Sequence, residues 1–148
     1  YLDLYDQYQY MKKSGQMRFT PPVQTFYALK QAIDEYIEEG IINRYNRYKE
    51  NWQILTNGLR KLGFNLLLDS ENESGILTTI FEPNNPNFDF NLFHDILYDK
   101  GYTIYPGKIT ELKTFRIAIM GDLKQNDINA FLIELEKVLK DLDLLPLL

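Results

Sequence analysis

The sequence predicts an α+β domain in which helices cover one face of a mainly antiparallel, four-stranded sheet. Apolar residues recur every three or four positions in several segments, which is typical of amphipathic helices. Four short segments rich in β-branched and aromatic residues lie between those helices, and Gly, Pro and Asn separate them. The predicted order is α-α-β-β-α-β-β-α, and 148 residues are enough for about one domain of ~100–200 residues.

Two helices are predicted in the first half of the chain. The first begins at Thr20, a good N-cap, with Pro21 and Pro22 in the first helical positions, and it ends at Gly40. The second follows at once and ends at Gly63. Residues 1–19 show neither a helical nor a strand period, so the sequence predicts a connecting segment there. The apolar stripes are Val23, Phe26, Leu29, Ile33, Tyr36 and Ile37 on the first helix, and Ile41, Tyr45, Tyr48, Trp52, Leu55, Leu59 and Leu62 on the second.

The second half of the chain supplies the predicted sheet. Strands are expected at 64–68, at 75–81, at 102–107 and from residue 114 to the turn at Gly121. Two more helices are predicted. One is capped by Asp89, with Phe90, Phe93, Ile96 and Leu97 inward, and the last has a stripe of Ile128, Phe131, Leu132, Leu135, Val138, Leu139 and Leu142.

Composition excludes several kinds of function. A net charge of −5 argues against a nucleic-acid or anionic-membrane binder, which needs a basic surface. The absence of cysteine and the single histidine, His94, exclude thiol nucleophiles and multi-histidine metal sites, and we interpret His94 as structural. No apolar run is long enough to span a bilayer and no signal peptide opens the chain, so we expect a cytoplasmic protein. The start at Tyr1, without an initiator Met, is typical of a fragment.

The strand "TFRIAIMGDL" contains the main candidate site residue, Arg116. Alternation places Arg116 on the face opposite Phe115, Ile117 and Ile119, so it should point away from the helix-covered core. Arginine is favoured where two parallel hydrogen bonds hold a carboxylate or a phosphonate, although a surface salt bridge is the plainer alternative. Thr20, at a predicted helix N-terminus, is a second anion-site candidate, for which capping alone is the alternative.

Five segments together resemble a known enzyme family. They are "LDLYDQYQYM", "MRFTPPVQTFYALKQAIDE", "RYKENWQILTNGLRKLGF", "GYTIYPGK" and "TFRIAIMGD". Their order and spacing resemble the 2-aminoethylphosphonate–pyruvate transaminases, which are class V aminotransferases of fold type I that use pyridoxal 5'-phosphate. The resemblance runs from about Leu2 to Leu142. "RFTPP" followed at the right distance by "IYPGK" and "TFRI" is its most specific part.

This resemblance implies a fold, an activity and roles for two residues. Residues 1–20 would connect from a missing N-terminal domain, which binds the cofactor and carries its Schiff-base lysine, and residues 21–148 would form the small C-terminal domain. The enzyme would transfer the amino group of 2-aminoethylphosphonate to pyruvate, giving phosphonoacetaldehyde and L-alanine. Arg116 would bind these small anionic substrates, and Thr20 would bind the cofactor phosphate of the neighbouring subunit in a homodimer. No catalytic residue is assigned within this chain, which is expected to be inactive alone.

One departure from the family pattern leaves alternatives open. This chain has "RIAIMG" where the family usually has "RIGNIG", so Ala118 and Ile119 replace a glycine and a polar residue. The first alternative is another class V aminotransferase, of the alanine– or serine–glyoxylate type. Independently of this departure, a stand-alone α+β interaction domain is the second alternative.

Overall fold

The computed structural model describes residues 2–107 and 111–147, and its contacts divide the chain into two compact units. The first unit ends at Ile41 and the second begins at Ile42. Lys108, which closes the "GYTIYPGK" motif, lies outside the described residues.

The first unit begins with a helix in a segment where the sequence analysis predicted none. Helix α1 spans Leu4–Ser14, and the carboxylate of Asp3 caps it by accepting hydrogen bonds from the backbone N–H groups of Tyr5 (2.9 Å) and Asp6 (3.1 Å). The periodicity of the sequence did not predict this helix because end caps stabilise it in place of a buried apolar stripe. None of the residues of α1 is buried.

Helix α2 spans Val23–Glu39, so it starts two residues later than predicted. Its N-cap is Pro22, which offers no side-chain hydrogen bond, so the prediction that Thr20 caps this helix was wrong. A residue that precedes proline is disfavoured in the helical region. Thr20 and Pro21 both precede a proline, and the helix therefore starts only after Pro22.

The apolar stripe of α2 is exposed along its whole length. We call these six residues the α2 stripe, and none of them is buried: Val23, Phe26, Leu29, Ile33, Tyr36 and Ile37. Their exposed fractions run from 37% at Tyr36 to 70% at Ile37. The helix prediction was correct, but the apolar face of this helix contributes no buried residue.

The second unit contains a small antiparallel sheet. Helix α3 (Ile41–Lys61) leads into it, and the remaining elements are β1 (Leu77–Phe81), α4 (Phe90–Asp99), β2 (Tyr105–Pro106), β3 (Thr114–Ala118) and α5 (Gln125–Asp141). The strand order is β1-β3-β2, with β3 antiparallel to both neighbours. The α+β class is confirmed. The strand predicted at 64–68 is reduced to a single bridge between Leu66 and Ile80.

The helices and one face of the sheet share a single core. Phe115, Ile117 and Ile119 are buried, as the alternation of β3 predicted. Phe115 meets Phe64 at 5.8 Å and Phe93 at 5.9 Å between ring centroids, both edge to face. The predicted stripes of the later helices provide most of the other core residues: Leu55 and Leu59 of α3, Phe93 and Leu97 of α4, and Ile128, Phe131, Leu135, Val138 and Leu139 of α5.

Helix α4 starts where the sequence predicted. The carboxylate of Asp89 accepts a 2.8 Å hydrogen bond from the backbone N–H of Leu92. Across the described ranges, no helix is both long and apolar enough to cross a bilayer, and His, Asp and Glu side chains form no group suited to hold a metal ion.

One half-buried carboxylate in the second unit is poorly solvated. Burial raises the pKa of Glu73, and the nearby Thr78, Arg60 and Trp52 offset only part of that effect. Three buried polar atoms here lack hydrogen-bond partners in the described part of the chain: Glu73 Oε1, Trp52 Nε1 and Thr78 Oγ1. An ionised Glu73 therefore opposes folding.

We predict that Glu73→Gln stabilises the protein in a pH-dependent way. Because the folded pKa of Glu73 lies above its unfolded value of 4.5, the contribution of this group to stability is fully present below that value and is lost as pH rises through the folded pKa. The variant lacks this loss, so its melting temperature should exceed that of wild type at pH 7 and match it near pH 4. Thermal unfolding at both pH values is the measurement. Glu71→Gln, which removes an exposed charge from the same loop, should show no such gain, and equal gains for both variants would contradict the prediction.

Candidate anion-binding site

Arg116 lies in the middle of the central strand of the sheet. In the strand register, Arg116 is the direct partner of Thr79 in β1 and of Tyr105 in β2. Residues paired across antiparallel strands project from the same face, so Thr79 and Tyr105 flank Arg116 on the face opposite the Phe115 side chain. Thr79 is half-buried and Tyr105 is half exposed.

The Arg116 side chain is fixed at its inner nitrogen. Arg116 Nε–H donates a 3.2 Å hydrogen bond to the backbone carbonyl of Pro106. Within residues 2–107 and 111–147, no carboxylate forms an ion pair with this guanidinium. The surface salt bridge that the sequence left open is therefore not formed within these ranges, where the half-buried guanidinium meets no acidic side chain.

Helix α3 holds the turn that follows β3. Gly121 adopts a positive φ of 110°, which suits glycine, and its N–H donates to the Tyr48 hydroxyl at 3.1 Å. Arg47 Nη1 donates to the Gly121 carbonyl at 2.9 Å. Asn51 Nδ2 donates to the Leu123 carbonyl at 2.8 Å. These contacts fix the backbone shortly after the strand that carries Arg116.

The residues that position Arg116 leave little signal in the sequence. Tyr105 and Pro106 become its neighbours only through the strand register. Asn51 did leave a signal: it is a polar residue that lies three positions after Tyr48 and four before Leu55 of the apolar stripe. A polar side chain at such a position, here fully buried, requires a hydrogen-bond partner.

The other candidate residues belong to other elements of the chain. Thr20 belongs to the first unit, where it is exposed and its hydroxyl makes no hydrogen bond to any described residue. His94 lies on α4, with Nδ1 2.8 Å from Asp95 Oδ1 and its ring stacked on Tyr98 at 6.1 Å. These contacts agree with a structural role for His94.

Comparison with curated proteins gives a consistent result, although no family model matches. The chain is 46% identical over 128 residues to 2-aminoethylphosphonate–pyruvate transaminase of Bacteroides fragilis, covering 85% of this chain and 35% of that protein. It is 36% identical over 147 residues to the protein of the same name from Pseudomonas entomophila, covering 99% and 40%. By sequence, the chain is a homologue of the 2-aminoethylphosphonate–pyruvate transaminase family. It spans between about a third and two fifths of the length of these relatives.

Solved structures show the same fold. Alanine–glyoxylate aminotransferase from Nostoc sp. superposes with a TM-score of 0.82 at 24% identity, over 93% of this chain and 37% of that one. Ureidoglycine–glyoxylate aminotransferase from Bacillus subtilis superposes with a TM-score of 0.78 at 22% identity, over 94% and 36%. The expected fold, a segment of a fold-type I aminotransferase, is confirmed.

Proposed function

We propose that this chain is the C-terminal part of a pyridoxal 5'-phosphate-dependent transaminase that transfers the amino group of 2-aminoethylphosphonate to pyruvate. Phosphonoacetaldehyde and L-alanine are the products. The observation that carries the proposal is Arg116, a half-buried arginine without an acidic partner among the described residues, on the sheet face opposite the core. The names of the curated relatives support this substrate pair.

Arg116 suits both substrates of this reaction. The phosphonate of the amino donor and the carboxylate of pyruvate each present two oxygens that a guanidinium can bind with two parallel hydrogen bonds. The reaction uses the two substrates in turn, so one cationic anchor can serve both. Binding there orients the reacting carbon and lowers the entropic cost of the chemical step.

Thr20 would hold the phosphate of the cofactor. When bound, pyridoxal phosphate supplies the electron sink for amino-group transfer. Thr20 offers an exposed hydroxyl free of bonds to described residues, and it precedes a helix whose Pro22 N-cap gives no side-chain hydrogen bond. The first amides of a helix and its dipole favour a phosphate, so the residues present fit this group. In the proposed homodimer, this phosphate belongs to the neighbouring subunit.

The exposed α2 stripe supports the proposal that another part of the complete protein packs against α2. Six apolar residues without a buried member are unusual on a stable helix, because most helix stability comes from packing an apolar face. The curated relatives have more than half of their length outside the matched region. We propose that the remainder of the enzyme covers the α2 stripe. Residues 1–20 would connect to that remainder, and residues 21–148 would form the small domain. We also propose that the enzyme is cytoplasmic.

A second candidate function is amino transfer to glyoxylate. Ala118 lies two residues after Arg116 on the same face and pairs with Leu77, so this part of the face is apolar where the family usually has a glycine. An apolar surface there suits an amino donor with a small apolar side chain. A panel of 2-aminoethylphosphonate, alanine and serine as donors, with pyruvate and glyoxylate as acceptors, separates the two candidates.

We predict that Arg116→Ala in the complete enzyme lowers kcat/KM by roughly 10²–10³ for both 2-aminoethylphosphonate and pyruvate. The kcat/KM of Arg116→Lys should fall between those of wild type and Arg116→Ala, because lysine keeps the charge but lacks the planar guanidinium group. Steady-state kinetics and thermal unfolding are measured together. Arg60→Lys, an exposed change on α3, is the matched control. Normal kinetics in Arg116→Ala, or a stability loss that accounts for the activity loss, would refute the role.

We predict that Thr20→Val weakens cofactor retention without weakening the fold. Loss of one hydrogen bond to a charged group should raise the dissociation constant of the cofactor by about ten- to a hundredfold. Because Thr20 does not cap α2, the melting temperature of the cofactor-free enzyme should not change. Equilibrium dialysis gives the dissociation constant, and Thr25→Val, on an exposed position of α2, is the control. Unchanged retention in Thr20→Val would remove Thr20 from the cofactor site.

We predict that Ile33→Lys, in the middle of the α2 stripe, behaves differently in the two forms of the protein. In the complete enzyme it should cost about 1.5–3 kcal/mol, the usual value of a buried aliphatic side chain. In the 148-residue chain alone the change should stay within about 0.5 kcal/mol, as at other surface positions. Gln31→Lys places the same charge off the stripe and should be neutral in both forms. Equal effects of Ile33→Lys in both forms would show that the stripe stays uncovered.

A further inference from the structure

We infer that Gly107 is a positioning residue for Arg116. The missing side chain at residue 107 lets the end of β2 approach β3 closely enough for the Pro106 carbonyl to hold Arg116 Nε. This inference rests on the proposed function in one respect, namely that Arg116 binds the substrate anion.

Gly107 makes a very close approach to the central strand. Its backbone N–H donates a 2.7 Å hydrogen bond to the carbonyl of Thr114. A Cβ atom at residue 107 would lie 2.1 Å from Thr114 Oγ1, 2.4 Å from Thr114 O and 2.9 Å from Thr114 C. Two of these three atoms belong to the backbone of β3, so no side-chain rotation relieves the collision.

The requirement for glycine here comes from space. Other glycines of the chain have positive φ angles, including Gly15, Gly75, Gly101 and Gly121, and a Cβ at any of these four would meet nothing within 4 Å. Gly107 shows the reverse: its φ lies outside the left-handed range, and its contacts are the tightest of the glycines with described surroundings. The sequence therefore uses glycine at residue 107 to let two strands approach.

This approach brings the Pro106 carbonyl to Arg116. Tyr105 and Pro106 pair with Arg116 and Phe115, and the hydrogen bond from Gly107 to Thr114 continues that ladder by one step. The Pro106 carbonyl then accepts from Arg116 Nε at 3.2 Å. A side chain at residue 107 would push the end of β2 away from β3 and lengthen this bond.

The bond decides how an anion can approach the guanidinium. A carboxylate or phosphonate can pair with arginine side-on, through Nε–H and one terminal nitrogen, or end-on, through both terminal nitrogens. Because Nε–H already donates to Pro106, the side-on mode is occupied. The geometry points to end-on binding of the substrate anion, with Gly107 and Pro106 holding the fork in place.

The test is a double-mutant cycle in the complete enzyme. Gly107→Ala should raise the KM of both 2-aminoethylphosphonate and pyruvate by about tenfold, with a smaller change in kcat, because misplacement of the anchor weakens anion binding. Ethylphosphonate, which has the anion but no amino group, should lose affinity by the same factor in calorimetric titration. In an Arg116→Ala background, Gly107→Ala should have no further effect on either quantity.

Two further variants separate positioning from general stability. Gly58→Ala inserts a Cβ that would lie 2.3 Å from Leu132 Cδ1, between α3 and α5, and should lower the melting temperature while leaving the ethylphosphonate affinity unchanged. Pro106→Gly adds no atom, so it should fold even if Gly107→Ala does not. This variant should weaken ethylphosphonate binding about threefold, because a more flexible backbone holds the carbonyl of residue 106 less firmly against Arg116 Nε.

The outcomes distinguish the inference from the proposed function. If wild type binds ethylphosphonate but does not transaminate 2-aminoethylphosphonate, the proposed function fails, and the binding cycle still tests Gly107. The inference is overturned if Gly107→Ala and Gly58→Ala weaken anion binding equally, if Gly107→Ala has the same effect with and without Arg116, or if wild type binds no ethylphosphonate.

Discussion

The alternation of side chains along β3 is the constraint on which the second unit depends. Phe115, Ile117 and Ile119 enter the core, and Arg116 lies between them on the opposite face. Burying each large apolar side chain stabilises the fold by about 1.5–3 kcal/mol. A register slip by one residue would expose all three and drive a guanidinium into an apolar core, which is costly without a partner. The packing that stabilises the domain thus also fixes the face on which the candidate site lies.

Polar contacts then fix where β3 ends and what its arginine can reach. Arg47, Tyr48 and Asn51 of α3 hold the carbonyls and one N–H of the turn after the strand. On the other edge, Pro106 holds the inner nitrogen of Arg116. The apolar core alone would leave the guanidinium free to rotate about several bonds. The backbone carbonyl removes part of that freedom before a ligand arrives, which reduces the entropic cost of binding.

The two units differ in how their helices are stabilised. In the second unit, α3, α4 and α5 each contribute fully buried residues to one core. In the first unit, α1 and α2 contribute none, although α2 has an apolar stripe as regular as those of the later helices. The same periodicity therefore leads to burial in one unit and to exposure in the other. A pattern of period 3.6 shows that a helix has a face to cover, and it does not show whether the partner is within this chain.

The sequence by itself determined the elements that are stabilised locally and those whose apolar pattern predicts a single type of secondary structure. Asp89 fixed the start of α4, the apolar stripes identified α3 and α5, and the alternation of β3 placed Arg116 away from the core. Asp3 caps α1 and two prolines follow Thr20; both effects are local, although apolar periodicity does not reveal them. The tertiary structure decided that residues 64–68 form one bridge rather than a strand. It also chose Pro106 as the partner of Arg116, because strand register and the space beside Gly107 depend on atoms that are distant in sequence.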